Sequence, residues 1–85
     1  MPAKYLSTEK SVRKRLKKLP LHIHGKVIKA LDVIKSNPLS GTKLHGELKN
    51  YYKYRVGDYR VVYQFDSKTS TVIVVEVEHR QGVYR

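Results

Sequence analysis

The spacing of apolar residues changes near residue 40, and this change limits the folds open to the chain. Before that point apolar residues recur every three or four positions, as in amphipathic helices; beyond it they alternate with polar residues, as in half-buried strands. Helices followed by strands predict an α+β fold with the helices on one face of a sheet. Eighty-five residues suffice for one such unit, so residues 1–85 are expected to form a single domain.

Two helices are predicted in the first half. The first is strongly basic and begins after Ser7 or Thr8, either of which suits an N-cap. Pro20 breaks this helix and suits the first position of the second. The second helix stops at Asn37-Pro38, because a residue that precedes proline avoids the helical region. The result is a helical hairpin with one apolar side.

Three strands are predicted in the second half, with a short edge strand at residues 5–7. Gly57-Asp58 suits a two-residue turn, since glycine accepts a positive φ, and strands flank it on both sides. Residues 71–79 form the third strand, which is apolar through Val75 and is therefore expected at the centre of the sheet. The predicted fold is a two-helix hairpin packed on one face of a small antiparallel β-sheet of three to four strands.

The charge balance favours a polyanionic partner. Eighteen Lys and Arg face seven Asp and Glu, which leaves a formal charge of +11. Such an excess suits nucleic acid, an acidic membrane surface or an acidic protein. The absence of cysteine excludes disulfide scaffolds, thiol catalysis and Cys-type zinc sites. Apolar runs are far shorter than the ~20 residues of a transmembrane helix, so we expect a soluble cytoplasmic protein that does not act at a membrane.

The predicted hairpin register brings basic side chains together on the sheet face away from the helices. With Gly57-Asp58 as the turn, Arg55 lies opposite Arg60, and Lys53 follows two residues away on the same face. Like charges that face each other across strands destabilise a sheet, and an anion between them offsets this. For a basic protein the natural anion is a phosphodiester. The alternative interpretation is an ordinary solvated face.

Signs of other chemistry are weak. The sequence contains no glycine-rich phosphate loop and no metalloprotease or serine-hydrolase motif, and no metal or small-molecule cofactor is expected. His79 is interpreted as a structural residue. Glu76 and Glu78 share the strand parity of Arg80, so they either orient its guanidinium or are ordinary exposed residues.

Three blocks of sequence resemble the RelE/ParE superfamily of toxins from type II toxin–antitoxin systems. They read KLHGEL from residue 43, YKYRVGDYRVVY from residue 52 and HRQGVYR from residue 79, in the order and spacing of the family. The resemblance implies a RelE-like fold and a cognate antitoxin, encoded by a neighbouring gene. In the RelE branch it implies cleavage of mRNA on the ribosome without a metal; in the ParE branch it implies inhibition of DNA gyrase.

The RelE pattern, carried over residue by residue, implies a site formed by Lys53, Arg55, Arg60, Arg80 and Tyr84. In the implied reaction the RNA 2′-hydroxyl attacks the adjacent phosphorus. Arg55 and Arg60 neutralise charge on the phosphate, and Lys53 is the candidate general base, since neighbouring cations favour its neutral amine. Arg80 assists the leaving 5′-oxygen, and Tyr84 stacks on a base or positions the sugar.

The chain departs from the family pattern at two positions, one of them within this set. Glu78 stands where relatives usually have glycine, and Arg55 replaces a second lysine, which leaves Lys53 alone as the base. Relatives with a histidine base keep His79 as a second candidate. The favoured hypothesis is a ribosome-dependent mRNA endoribonuclease, because the predicted cluster and the family site coincide. A ParE-like gyrase inhibitor and a non-catalytic RNA- or ribosome-binding module are the alternatives.

Overall fold

The computed structural model describes residues 2–44, 46 and 50–79. In this part of the chain two helices, α1 (Lys10–Lys18) and α2 (Leu21–Ser36), accompany five strands: β1 (Tyr5–Thr8), β2 (Thr42–Lys43), β3 (Tyr52–Val56), β4 (Tyr59–Asp66) and β5 (Thr71–His79). The strands form one sheet in the order β1-β5-β4-β3-β2. The fold is α+β, as the change in apolar spacing predicts.

The core lies between the two helices and one face of the sheet. Apolar stripes of the helices pack on alternate residues of the central strands, and Tyr63 is the largest side chain that is fully buried there. The other core residues are Ala3, Val12, Leu16, Val27, Ala30, Leu31, Ile34, Val56, Val61, Val72, Val74 and Val77. Both described helices pack on this face, and we call the opposite face of the sheet the open face.

The prediction of three to four antiparallel strands is wrong in the number of strands and in the direction of one of them, β1. Within the described residues the sheet has five strands, and β1 pairs with β5 in parallel, from Tyr5 opposite Thr71 to Thr8 opposite Val74. The strand that the sequence analysis did not predict is β2, which is only two residues long and therefore too short to produce an alternating pattern. The central strand is β4, and β5 lies between β4 and β1.

The start of α1 also differs from the prediction. Glu9 is the N-cap, and its side chain makes no capping hydrogen bond. Ser7 and Thr8 are not at the N-cap position because β1 extends to Thr8 and the helix begins only at Lys10. Pro20 is the N-cap of α2 rather than its first residue, and its carbonyl accepts a hydrogen bond from the backbone N–H of His24 at 2.9 Å.

The β3–β4 hairpin has the predicted register. Val56 pairs with Tyr59, Arg55 with Arg60, and Lys53 with Val62. Gly57 opens the turn with a φ of +59°, a conformation that residues with a side chain rarely adopt. The open face is therefore determined on β3 and β4 by the position of one turn.

A β-bulge interrupts the pairing of β4 with β5. Val62 pairs with Glu76 and Tyr63 with Val74, so that Val75 is an extra residue without a partner. If β5 kept Val75 but had no bulge, the alternation that buries Val74 would turn Glu76 towards the core. The bulge keeps Val77 buried and places Glu76 and its neighbour two residues on, Glu78, on the open face.

The connection between α2 and β3 is tied to the centre of the sheet through one hydroxyl group. Tyr63 Oη donates a hydrogen bond to the Pro38 carbonyl at 2.8 Å and accepts one from the Gly41 N–H at 3.0 Å. Gly41 approaches so closely that a Cβ there would lie 2.6 Å from the carbonyl oxygen of Lys53. This contact fixes β3, and with it Lys53, relative to β4.

Candidate nucleic-acid interface

Two rows of side chains cross strands β3, β4 and β5 on the open face. The arginine row consists of Arg55, Arg60 and Glu78, and the lysine row consists of Lys53, Val62 and Glu76. Neighbouring strands lie ~4.8 Å apart and alternate residues ~7 Å apart along a strand. The long side chains of both rows can therefore reach a single small anion above the sheet.

The arginine row holds an ion pair at its centre. Arg60 Nε donates to Glu78 Oε1, and the exposed fractions of the two side chains are 29% and 17%. Arg55, on the other side of Arg60, is exposed, and its Nε donates to the Gly57 carbonyl at 3.2 Å. The anion that two facing arginines require is thus partly supplied by the protein itself.

The lysine row is built around a buried apolar residue on the open face. Val62 is 6% exposed although it faces away from the helices, and it lies between Lys53 and Glu76. Lys53 is half-buried and pairs on its other side with Thr42 of β2. The aliphatic part of a lysine commonly covers apolar surface while its amine stays in water, so Lys53 can cover Val62 and still present its amine to solvent.

Glu76 and Glu78 form an acidic pair at the β5 end of the two rows. Burial of its carboxyl group raises the pKa of Glu76, and the charge and hydrogen bond of the adjacent Glu78 carboxyl raise it further. Arg15 of α1 and Arg60 oppose this shift. The open face thus has a basic side on β3 and β4 and an acidic side on β5.

Comparison with known proteins identifies the family. The family model described as "ParE toxin of type II toxin-antitoxin system, parDE" matches residues 6–84. The toxin RelG of Mycobacterium tuberculosis is 35% identical over 77 residues, which cover 88% of each chain. The chain belongs to the RelE/ParE toxin family. It is therefore a toxin of a type II toxin–antitoxin system.

Solved structures agree with this assignment. A chain of the toxin–antitoxin complex RelBE2 from M. tuberculosis superposes with a TM-score of 0.84 at 32% identity and 94% coverage of both chains. A doubly substituted E. coli toxin RelE in the free state gives 0.80 at 25% identity, covering 96% of this chain and 88% of that one. The RelE-like fold predicted from the three sequence blocks is confirmed.

Three of the five predicted site residues of the toxin share the open face. Arg55 and Arg60 are direct cross-strand neighbours, and Lys53 is in the adjacent row. The other two, Arg80 and Tyr84, lie outside the described residues. Sequence reasoning linked Glu76 and Glu78 to Arg80 and missed their proximity to Arg60, because that proximity depends on the bulge.

His79 is on the helix side of the sheet. It pairs with Tyr59, and the two rings meet edge to face with centroids 4.8 Å apart. This position separates it from the lysine and arginine rows and fits a structural residue. Among the tyrosines, Tyr63 is in the core and three more pack against it, Tyr52, Tyr54 and Tyr59.

The described residues offer no group of three or more His, Cys, Asp or Glu side chains that could hold a metal ion. In the same part of the chain neither helix is both long enough and apolar enough to cross a membrane. What the open face offers chemically is three cations in two adjacent rows, bounded by two carboxyl groups.

Proposed function

We propose that this toxin is a ribosome-dependent endoribonuclease that cleaves mRNA in the ribosomal A site and so inhibits translation. The observation that carries the proposal is the grouping of Lys53, Arg55 and Arg60 in two adjacent rows of the open face. Basic side chains so arranged suit a phosphodiester, to which a guanidinium can donate two parallel hydrogen bonds. Similarity to proteins named RelG and RelE supports the RelE branch.

In the proposed reaction the RNA 2′-oxygen forms a bond to the adjacent phosphorus while the bond from phosphorus to the 5′-oxygen breaks. The products are a 2′,3′-cyclic phosphate and a 5′-hydroxyl. The Lys53 amine takes the proton of the attacking hydroxyl, and Arg55 and Arg60 donate hydrogen bonds to the phosphate oxygens as their charge increases. Donors that are already in position stabilise such a charge without reorganisation at the moment of reaction.

Arg80 and Tyr84 complete the proposed site. Arg80, or a proton relay through it, assists departure of the 5′-oxygen, and Tyr84 stacks on a base or positions the sugar. Neither a metal nor a small-molecule cofactor takes part in this scheme. Lysine is a poor base at neutral pH, so the ribosome contributes by holding the mRNA in an orientation from which attack is favourable.

The same proposal includes a protein partner, a cognate antitoxin. Similar chains have been solved as toxin–antitoxin complexes, among them RelBE2 of M. tuberculosis. A charge of +11 favours an acidic antitoxin segment by long-range attraction. Binding to the folded toxin alone would also stabilise it by mass action. The ribosomal target places the activity in the cytoplasm.

Cleavage of a defined mRNA on purified ribosomes tests the proposal. Ribosomes are programmed with an initiator tRNA and an empty A site, toxin is added, and the RNA ends are mapped. We expect the wild type to cleave within the A-site codon. Arg60→Ala should reduce the rate about 100-fold or more, the usual cost of removing a donor to transition-state charge.

Lys17→Ala is the matched control, since it removes one positive charge from an exposed position of α1. It should leave the rate within about twofold of the wild type, because exposed charges away from the site are screened. Arg55→Ala is a second test whose side chain is exposed, so that a folding defect is not expected. Intact mRNA with folded wild-type toxin would contradict the proposal, and inhibition of DNA gyrase supercoiling would then identify the ParE activity.

A further inference from the structure

Glu78 occupies the place on Arg60 that a phosphate would need. The two residues are cross-strand partners, and Arg60 Nε donates to Glu78 Oε1. Both side chains are mostly buried, at 29% and 17% exposure, so the pair is held in place rather than loosely solvated. We propose that Glu78 is an internal competitor of the RNA phosphate, which must displace it from Arg60 before the site is engaged. This inference rests on the proposed nuclease function.

Carboxylates and phosphates bind guanidinium groups in the same way, through two parallel N–H···O hydrogen bonds. While Glu78 accepts the hydrogen bond from Arg60 Nε, an arriving acceptor can use only the remaining N–H groups of the guanidinium. A phosphate beside Glu78 also meets a second negative charge in a partly buried place, where repulsion is poorly screened. Exchange of the carboxylate for the phosphate removes both conflicts.

Glu78 lies at one end of the arginine row, along which the basic side chains become more exposed towards Arg55. Arg55, at the other end, is paired with Arg60, has no carboxylate partner among the described residues and is exposed, so it is the first contact for an arriving phosphate. Arg60 becomes available next, when Glu78 turns away. Glu76 lies beside Glu78 and shares a hydrogen bond with it, which provides a partner for the displaced carboxyl group. The role of Glu78 is thus to set the affinity of the site and not its chemistry.

Binding of a non-cleavable RNA separates this role from general charge effects. The probe is a fluorescein-labelled single-stranded oligoribonucleotide with 2′-O-methyl groups, and anisotropy gives its Kd on free toxin in 150 mM salt. We expect Glu78→Gln to bind about 3- to 10-fold more tightly than the wild type. Glu9→Gln removes the same charge at the start of α1, where the side chain makes no capping bond, and should stay within twofold.

A double-mutant cycle shows whether Glu78 acts through Arg60. In the Arg60→Ala background, Glu78→Gln should change the Kd less than twofold, because the contact for which it competes is gone. In the ribosome assay Glu78→Gln should lower KM and leave kcat within twofold. Loss of kcat would instead assign Glu78 to orienting Arg60 for the reaction and would overturn the competitor role.

The outcomes distinguish the inference from the proposed function. If Arg60→Ala weakens RNA binding but Glu78→Gln does not strengthen it, the competitor role is wrong and the phosphate-binding face stands. If Glu78→Gln strengthens binding equally with and without Arg60, only a general charge effect is present and the inference fails. If Arg60→Ala leaves RNA binding unchanged and the ribosome assay shows no cleavage, the proposed function fails with it.

Discussion

The hydroxyl group of Tyr63 links parts of the chain that are distant in sequence. It connects the middle of β4 to the Pro38 carbonyl and the Gly41 N–H on the connection that leads to β2. Burial raises the pKa of Tyr63, so the hydroxyl keeps its proton and its role as a donor throughout the physiological range. One atom thereby holds the strand that carries Lys53.

Tyr63→Phe should lower the free energy of unfolding by about 1–3 kcal/mol, because the buried Pro38 carbonyl and the Gly41 N–H lose their partner. Urea unfolding followed by circular dichroism measures this change. Tyr5→Phe, at a tyrosine that is 63% exposed, is the control and should have almost no effect. Equal stability of the two variants would show that the hydroxyl makes no net contribution.

Glu76 makes stability depend on pH. Because its pKa in the folded toxin is raised above the ordinary 4.5, the fold favours the protonated carboxyl group. Stability is therefore greatest below the unfolded pKa and is lost as the pH rises through the folded one. The cause is local: partial loss of solvent around the carboxyl group, and the adjacent Glu78.

Glu76→Gln should remove this pH dependence, since glutamine carries no charge and can still donate a hydrogen bond to Glu78. We expect the variant to match the wild type at pH 4 and to exceed it at pH 7. The gain should stay below about 1 kcal/mol, because Glu76 is largely exposed and its interactions are screened. Free energies of unfolding at the two pH values test this, and a gain that is equal at both would contradict the assignment.

At the scale of secondary structure, the bulge at Val75 decides which face the end of β5 presents. Val74 and Val77, one on each side of the bulge, are both fully buried in the core, although they are three positions apart in the sequence. Regular alternation cannot bury both from one side of a strand. The extra residue resolves this conflict and directs the acidic pair to the open face.

Deletion of Val75 should leave a toxin that still unfolds cooperatively. With the extra residue removed, a regular β5 buries Val74 and Val77 and keeps Glu76 on the open face, so no charge enters the core. Deletion of Gln64, a paired residue of β4, is the control and should abolish cooperative unfolding, because it breaks the alternation of β4 within the core. Thermal unfolding followed by near-ultraviolet circular dichroism measures both. Loss of cooperative unfolding in the Val75 deletion would refute this role of the bulge.

The β3–β4 and β4–β5 pairs differ in how much of their register could be predicted from the sequence. The register of β3 and β4 follows from one glycine turn, so the facing of Arg55 and Arg60 could be predicted. The register of β4 and β5 changes at the bulge, and nothing in the run from Val72 to Val75 shows which valine is extra. The contact between Arg60 and Glu78 could not be found without the structure.

At the scale of the whole molecule, the positive charge is not concentrated where the proposed chemistry takes place. Three cations and two carboxyl groups share the two rows of the open face. Helix α1 alone carries six basic residues, Lys10, Arg13, Lys14, Arg15, Lys17 and Lys18. Under the proposed function, attraction of RNA at long range and recognition of one phosphate would therefore be separate tasks of separate surfaces, and added salt should weaken the first more than the second.

The parallel pairing of β1 with β5 affects the order in which the toxin folds during its own synthesis. The paired residues are 66 positions apart, which at ordinary elongation rates is a delay of about 3–13 s. Until β5 is made, β1 has no strand to join and α1 has no sheet to cover. A nascent chain that stops before residue 71 also lacks Glu78 and one wall of the open face. Synthesis of the toxin must therefore pass this point before the open face, and with it the proposed site, exists.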